Sequence, residues 1–468
     1  MTLVPCGMTL VVGLGLSGRA ICRHLARLQR PFMVADTRDA PPGLEAFRAA
    51  HPGVRVHCGA LAELDMRQAR EVVLSPGVDP RTPGLAEMAE ERNLQTGEPL
   101  VVGEIALFRR AVRAPIAAIT GSNAKSTVTT LLGDMAAEAG IKVAVGGNLG
   151  TPALDLLNES PTAELYVLEL SSFQLETTPW LGAECAALLN MSEDHLDRHG
   201  DMPAYRAAKQ RVFCGANRAV VNADDPHTWP APAALPAARV ARFTTQKPEG
   251  TDWGLVQRDG KTWLMQGETP WLAASELPVA GQHNQQNALA ALAMGRALGI
   301  DAAAMRAVLR RFSGLAHRSE KVAYINGVTW VNDSKGTNVG ATLAAVNGLG
   351  PTLRGKLIVL AGGVGKGADF APLAAPLAAY ARCVMLFGAD AEPIARALDG
   401  QVATQRFAGL LEATQAAAAL ADPGDCVLLS PACASLDQFA NYQARGEAFC
   451  DAIHSIARSA GKAGEAAP

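Results

Sequence analysis

Ile119-Thr120-Gly121-Ser122-Asn123-Ala124-Lys125-Ser126-Thr127 ends one apolar run and opens a helical one. The run from Ile116 reads as a buried strand, and Lys125 to Ala139 as a helix stopped by Gly140. Free backbone N–H groups and the macrodipole at such a helix start favour an anion. Lys125 adds a point charge for the β- and γ-phosphates of a nucleotide, and Ser126 or Thr127 a hydroxyl for Mg²⁺. The general pattern G-x-x-x-x-G-K-[ST] is not met: Ile119 stands at its first glycine and Ala124 at its second. Alanine resists the positive φ that glycine adopts freely, so the loop geometry turns on Ala124. The bland alternative is a capped helix carrying one exposed lysine.

Working outward toward the N-terminus, Met8–Val12 is a strand-like run. Gly13-Leu14-Gly15-Leu16-Ser17-Gly18 follows, then a helix through Arg30 and a strand from Pro31 to Ala35, ending at Asp36. G-x-G-x-x-G after a strand, with an acid about 20 residues on, has the form of a dinucleotide fingerprint. On this block alone an NAD-dependent oxidoreductase fits. The physics asks only for a phosphate at a helix N-terminus, and a uridine diphosphate satisfies it equally. Val72–Leu74 is another strand, leading into Ser75-Pro76-Gly77.

Toward the C-terminus, strands are expected at Leu165–Leu168 and Ala186–Leu189. Each leads into polar residues: Glu169 after the first, and Asn190-Met191-Ser192-Glu193-Asp194-His195-Leu196-Asp197-Arg198-His199 after the second. Strand ends are where α/β sheets place ligand-binding groups. Glu169 alone could simply face water, whereas His195 among three carboxylates points to a metal or phosphate role. Gly146-Gly147-Asn148-Leu149-Gly150 reads as a turn. Asp225 to Gly250 is rich in Pro and Ala and reads as a loop or domain edge, followed by β-like sequence over Trp253–Trp271 and a helix over Asn284–Leu298. A third block opens near His317, with strands at Leu357–Leu360, Cys383–Phe387 and Cys426–Leu429, and a frayed tail after Ser459. The fold class is α/β in three domains: 1–112 Rossmann-like, 113–314 like a P-loop ATPase, and 315–468 Rossmann-like again.

Composition agrees with this. A chain of 468 residues suggests two to four domains, and 49% hydrophobic with 19% charged residues suits packed cores. A net charge of −3 argues against nucleic-acid binding through bulk positive charge. Nine scattered cysteines without a C-x-x-C pair suit a reducing cytoplasm. No basic-then-apolar leader and no apolar run of about 20 residues is evident, so a soluble cytoplasmic protein is expected.

The word G-[ST]-N-x-K-[ST]-T, present as Gly121–Thr127, resembles the ATP loop of the Mur ligases, a family that includes folylpolyglutamate synthetases. Further words in family order support the resemblance: Asn190–Asp197, Gly281-Gln282-His283-Asn284-Gln285-Gln286-Asn287-Ala288 and Asp333-Ser334-Lys335-Gly336-Thr337-Asn338. The resemblance implies that Gly121, Ser122, Asn123, Ala124, Lys125, Ser126 and Thr127 hold ATP. Asn287 and then Asn284 reach adenine, Arg318 reaches the phosphates and Asp333 the ribose. It implies Mg²⁺ at Ser126, Thr127, Glu169, His195 and a carbamylated Lys209, and a catalytic set of Lys125, His195, Lys209 and Lys335. Leu16, Ser17, Asp36, Thr37, Arg38 and Gly77 would hold UDP, and Asn148 the muramoyl group.

Two more segments, Gly362–Phe370 and Leu429–Phe439, resemble those of the D-glutamate-adding members, and the D-N-P-R string of the diaminopimelate- and lysine-adding members is missing. Thr337, Lys366, Ser435 and the Phe439 backbone would then hold the amino acid. The implied reaction joins D-glutamate to UDP-N-acetylmuramoyl-L-alanine through an acyl phosphate, in a monomer whose domains close on the reactants. A folylpolyglutamate synthetase would share the ATP centre without the first block, and a non-enzymatic nucleotide binder would have no use for Lys335.

Overall fold

The computed structural model describes residues 2–93, 97–231, 235–279 and 281–459. Three main sheets follow one another along the sequence. The first sets Val56–Cys58, Phe32–Asp36, Thr9–Val12, Glu71–Leu74 and Val101–Gly103 side by side, all parallel. Thr9–Val12 and Phe32–Asp36 are buried along their whole length, which explains their unbroken apolar sequences. Strand order reverses between Thr9–Val12 and Glu71–Leu74, and the crevice at that point is floored by Gly13 and Ser75. A Cβ on Gly18 would stand 1.7 Å from the Gly13 carbonyl oxygen, so only glycine lets the helix start this close to the strand.

The helix expected to run through Arg30 stops at Arg27. Gln29 adopts φ 53°, its N–H donates to the Ala26 carbonyl and that of Arg30 to Leu25. This is a Schellman closure made without glycine, hence its absence from the sequence signals.

The central sheet runs Val143–Gly147, Leu165–Glu169, Ile116–Thr120, Cys185–Leu188, Arg218–Asn222, Val240–Phe243, Trp253–Arg258, Lys261–Gln266, Thr269–Ala273. The first six are parallel and the last three form antiparallel hairpins, one closed by Asp259-Gly260 at positive φ. The expected loop over 225–250 is thus partly wrong, because it contains the sixth parallel strand. That strand is only half buried and carries Arg242, paired with Asp252 at 2.8 Å, so it lacks an apolar pattern. The helices Lys125–Glu138, Gln282–Ala297 and Ala302–Arg311 cover one face of the sheet around Leu132, Leu292 and Val308.

The opposite face joins the N-terminal unit. One buried cluster runs from Ile21 and Phe108 through Leu154 and Tyr166 to Leu188. The C-terminal sheet, Glu320–Ile325, Val328–Asn332, Cys426–Leu429, Leu357–Gly362, Ala381–Phe387 and Thr404–Arg406, is parallel except for its first strand. It carries its own apolar cluster on each face, drawn only from residues 322–457. The first two units therefore share a core, and the third does not. The tail expected to fray after Ser459 lies outside the described residues.

Candidate active site

The central sheet reverses its order at Ile116–Thr120, so three strand ends converge there: Gly121–Ala124, Glu169–Ser171 and Leu189–Asp194. Ala124 takes φ 67° and ψ −8°, the left-handed conformation that a Cβ disfavours. The neighbouring segment braces the loop. The Asn123 N–H donates to Asn190 Oδ1 at 2.8 Å, and Ser122 Oγ both donates to the Ser192 carbonyl and accepts from its N–H, each at 2.9 Å.

Two lysines enter this loop from different helices. Lys125 Nζ donates to the carbonyls of Gly121 and Ser122 at 2.8 and 2.9 Å, and Lys209 Nζ to Gly121 at 2.7 Å. Burial lowers the pKa of both, and that of Lys209 falls well below 10.5 because Lys125 also repels its charge. Ser126 Oγ donates to Glu169 Oε2, and Asn148 Nδ2 to Glu169 Oε1 at 2.7 Å. Burial alone would raise the Glu169 pKa, but Lys125, Ser126, Asn148 and Arg318 together hold it below 4.5. His195 lies against the Phe173 ring at 4.8 Å, and burial lowers its pKa to about 4. It is therefore a neutral imidazole at pH 7, the form that ligates a metal. The Glu169 carboxylate and the Ser126 hydroxyl, in contact with each other, are oxygen donors of the kind that suit Mg²⁺ with retained waters.

A cavity of about 660 Å³ opens beside the loop, between the central and C-terminal units. Ala124, Thr127, Asn284, Asn287, Arg318, Asp333 and Lys335 all line it. The volume falls in the range of small-molecule sites. Arg318 Nη2 reaches back to Ser126 Oγ at 2.6 Å. Asp333 accepts from the Ser319 N–H at 3.1 Å and from Ser430 Oγ at 2.8 Å, and burial raises its pKa to about 6. Lys335 Nζ sits 4.0 Å from the centre of the Tyr442 ring, and burial with repulsion from Arg318 and Lys125 lowers its pKa to about 8.

The N-terminal candidates form a separate group. Asp36 accepts from the N–H of Leu14 at 2.7 Å and Arg38 at 3.0 Å, and from the Arg38 guanidinium through both oxygens at 2.8 Å. This saturation disfavours the dehydrogenase reading, in which Asp36 would need a free oxygen for a ribose hydroxyl. Leu16 is 75% exposed at the crevice mouth, and Thr37, Arg38 and Gly77 are also exposed.

Three family models match: "Mur ligase MurD-like, N-terminal domain" over residues 7–95, "Mur ligase middle domain" over 119–295 and "Mur ligase, glutamate ligase domain" over 317–433. A protein of Chromohalobacter salexigens named UDP-N-acetylmuramoylalanine--D-glutamate ligase is 64% identical over 96% of this chain and 97% of its own length. The chain belongs to the Mur ligase family. A Pseudomonas aeruginosa protein of the same name is 51% identical over 96% of this chain and 98% of its own length. Among solved structures, the MurF ligase of Thermotoga maritima in complex with ADP superposes with a TM-score of 0.60 at 16% identity, covering 98% of each chain. Escherichia coli FolC in complex with ADP reaches 0.56 at 19%, over 75% of this chain and 93% of its own. At such identities these two speak for the fold alone.

In this Mur ligase the C-terminal unit reaches the central one through polar side chains. Asn338 Nδ2 donates to Asn123 Oδ1 and Asp194 Oδ2, each at 3.1 Å, and Lys366 pairs with Asp194. Thr337 stands on the same loop as Lys335, and the loop of Ser435 meets that of Lys366 through a bridge between Val364 and Ala434. The Phe439 N–H donates to the Ser435 carbonyl at 2.8 Å, and its ring packs on the C-terminal core. Sequence patterns single out neither Tyr442, beside Lys335, nor Arg445. They give Arg198 no role, yet its Nη2 donates to the Val78 carbonyl at 3.1 Å and to Glu176 at 2.9 Å, tying the loop after Gly77 to the His195 segment. Asp194 and Asn338 are legible as members of their words, but their contacts cross domains and leave no local pattern.

Proposed function

We infer that this enzyme is an ATP-dependent ligase that adds D-glutamate to UDP-N-acetylmuramoyl-L-alanine, a step of peptidoglycan precursor synthesis. The observation that carries the substrate assignment is the 64% identity, across nearly the whole sequence, to a ligase of that name. The geometry supports the chemistry. The units 1–112, 113–314 and 315–468 take UDP, ATP and the amino acid respectively, and the reacting groups meet at the strand ends of the middle one. Leu16, Ser17, Thr37, Arg38 and Gly77 hold the UDP end, with Asp36 fixing Arg38 and the Leu14 N–H beneath it, while Asn148, bonded to Glu169, orients the far end of that substrate.

The alanine carboxylate attacks the γ-phosphorus of ATP, releasing ADP and leaving an acyl phosphate. The glutamate amine then attacks the acyl carbon, and phosphate departs from the tetrahedral intermediate. Lys125 and Lys335 offset the negative charge that builds on the phosphoryl oxygens, and Arg318 holds the phosphates. Asn284 and Asn287 face adenine, and Asp333 the ribose. Ser126, Thr127, Glu169 and His195 would hold Mg²⁺, which polarises the transferring phosphoryl group. Burial and repulsion from Lys125 press Lys209 toward the neutral amine, the form whose lone pair adds to CO₂ with loss of a proton. The resulting carbamate would turn a repelling cation into an anion that pairs with Lys125 and the metal. Thr337, Lys366 and Ser435 take the amino acid.

No helix among the described residues is long and apolar enough to cross a membrane. We place the enzyme in the cytoplasm, acting as a monomer on small molecules. The deciding experiment is phosphate release by the purified protein with Mg-ATP, UDP-N-acetylmuramoyl-L-alanine and either D- or L-glutamate. Release that requires D-glutamate is expected. Release only with L-glutamate would overturn the substrate, and release with neither would overturn the reading.

A further inference from the structure

Lys366 and Asp194 form an ion pair across the seam between the C-terminal and central units, with side chains only 14% and 7% exposed. Lys366 stands in the Gly365-Lys366-Gly367 loop at φ 56°, a conformation rare outside glycine and concentrated at functional sites. That turn is held from outside, since the Gly365 N–H donates to Asp390 Oδ2 at 2.7 Å. Asp194 is fixed just as firmly. Asn338 Nδ2 holds its Oδ2 at 3.1 Å, and the N–H of His195 reaches its Oδ1 at 3.0 Å. Asn338 is itself anchored, because its Oδ1 caps the helix Val339–Leu349. One ammonium and one carboxylate are thus set face to face where the incoming amino acid must lie, between the amino-acid loops and the phosphate loop.

A free amino acid is a zwitterion. We propose that D-glutamate binds by inserting into the Lys366–Asp194 pair, its carboxylate taking Lys366 and its ammonium taking Asp194. Separating two buried charges leaves each unpaired at high cost, and only a ligand carrying both signs compensates both. Asp194 then acts as a specificity residue that demands an ammonium group, and it is the internal competitor for Lys366 until one arrives. The proposal rests on the D-glutamate reading given above.

The test uses phosphate release by the full-length protein with Mg-ATP and UDP-N-acetylmuramoyl-L-alanine. D-2-hydroxyglutarate, with hydroxyl in place of ammonium, and glutarate, with neither, serve as competitive inhibitors against D-glutamate. With the unaltered protein, D-2-hydroxyglutarate is expected to bind at least 30-fold more weakly than D-glutamate. In Asp194→Asn the KM for D-glutamate is expected to rise at least tenfold while glutarate binds more tightly, because Lys366 has lost its competitor. A merely structural role for Asp194 would weaken both ligands together. Equal binding of D-glutamate and D-2-hydroxyglutarate to the unaltered protein overturns the proposal even if the variant does not fold, and so does parallel weakening in the variant. Phosphate release that never depends on D-glutamate defeats the functional reading first, and this inference with it.

Discussion

Lys125 and Lys209 place their ammonium nitrogens 2.8 and 2.7 Å from one acceptor, the carbonyl oxygen of Gly121. Two cations sharing one carbonyl in a buried site repel each other, which favours the neutral form of one of them. Lys209, pressed by burial and by Lys125, is the one driven furthest from its usual range. Its folded pKa lies below its unfolded value, so the unfolded state binds more protons and this site makes stability rise with pH up to about 10.5. Lys209→Met removes the deprotonation cost. At pH 7 it is expected to raise the urea midpoint and to abolish phosphate release. A destabilised Lys209→Met would show that the lysine is better accommodated than its surroundings indicate.

Ala124 stores a smaller strain in the same loop. A left-handed alanine costs about 1–2 kcal/mol, and glycine escapes that cost while ordering a more flexible unfolded state. Ala124→Gly is therefore expected to leave stability within about 1 kcal/mol and the KM for ATP unchanged. Ala124→Val puts a β-branched residue at φ 67° and should cost about 2 kcal/mol and weaken ATP binding. Thermal melts and ATP titrations of the two variants check both, and equal behaviour would refute the strain.

The phosphate loop is legible in the sequence because everything it needs is local. An apolar strand, a turn and a helix start succeed each other within about ten residues, and Ile116–Thr120 forms a strand where the apolar run places it. The strand Val240–Phe243 is not legible, since a half-buried strand bearing Arg242 carries no apolar period. The site divides the same way. Ser126 is legible at the helix start, whereas Glu169 at its strand end and Lys335 in its short word gain their meaning only through the family resemblance. The Lys366–Asp194 pair spans 172 residues of sequence, and no spacing rule connects its partners. Tyr442 and Arg445 belong to a helix whose sequence reads as ordinary, and only the packing shows what they touch.

Glu104 makes the joint between the first two units sensitive to pH. Its carboxylate is buried, and Oε1 accepts from the Leu154 N–H at 3.0 Å. Burial raises its pKa from 4.5 to about 7, partly offset by hydrogen bonds from the Leu154 N–H and the Ser17 side chain. The folded state thus holds the proton more tightly. The site's contribution to stability is full below about 4.5 and is lost as the pH rises through about 7. Glu104→Gln keeps the acceptor for Leu154 and never ionises. It is expected to be more stable than the parent by about 2–3 kcal/mol at pH 8, with the advantage vanishing below about pH 4. Urea unfolding at the two pH values reads this directly, and a pH-independent difference would reject it.

Arg445 is buried, and among the described residues no carboxylate pairs with it. Its guanidinium donates to the carbonyls of Ser334 at 2.8 Å, Cys433 at 3.0 Å and Gly362 at 3.4 Å, and to Ser334 Oγ at 3.1 Å. These three loops carry Lys335, Ser435 and Lys366, so one planar fork sets their spacing. Arg445→Met strands the carbonyls and should cost about 3 kcal/mol or more. Arg445→Lys keeps the charge but lacks the fork. It is expected to fold, to raise the KM for D-glutamate several-fold and to leave the KM for ATP nearly unchanged. A uniform loss in both constants would mark Arg445 as structural only.

The contrast between the two domain joints decides which part moves. The first two units share a continuous apolar cluster, reinforced by Arg23 and Asp155 through two hydrogen bonds of 3.0 and 2.5 Å. The C-terminal unit keeps its apolar clusters to itself and meets the central unit through Arg318 on Ser126, Asn338 on Asn123 and Asp194, and Lys366 on Asp194. Polar contacts of this kind exchange readily with water, whereas opening an apolar joint exposes surface at about 25 cal/mol per Å². The C-terminal unit should therefore swing while the other two stay together. Small-angle scattering is expected to show a smaller radius of gyration when Mg-ADP and UDP-N-acetylmuramoyl-L-alanine are added together. Arg318→Ala combined with Asn338→Ala should abolish that contraction without altering the free protein. A profile unchanged by ligands would mean that the seam is fixed, and that the amino acid enters by a route other than the opening of this joint.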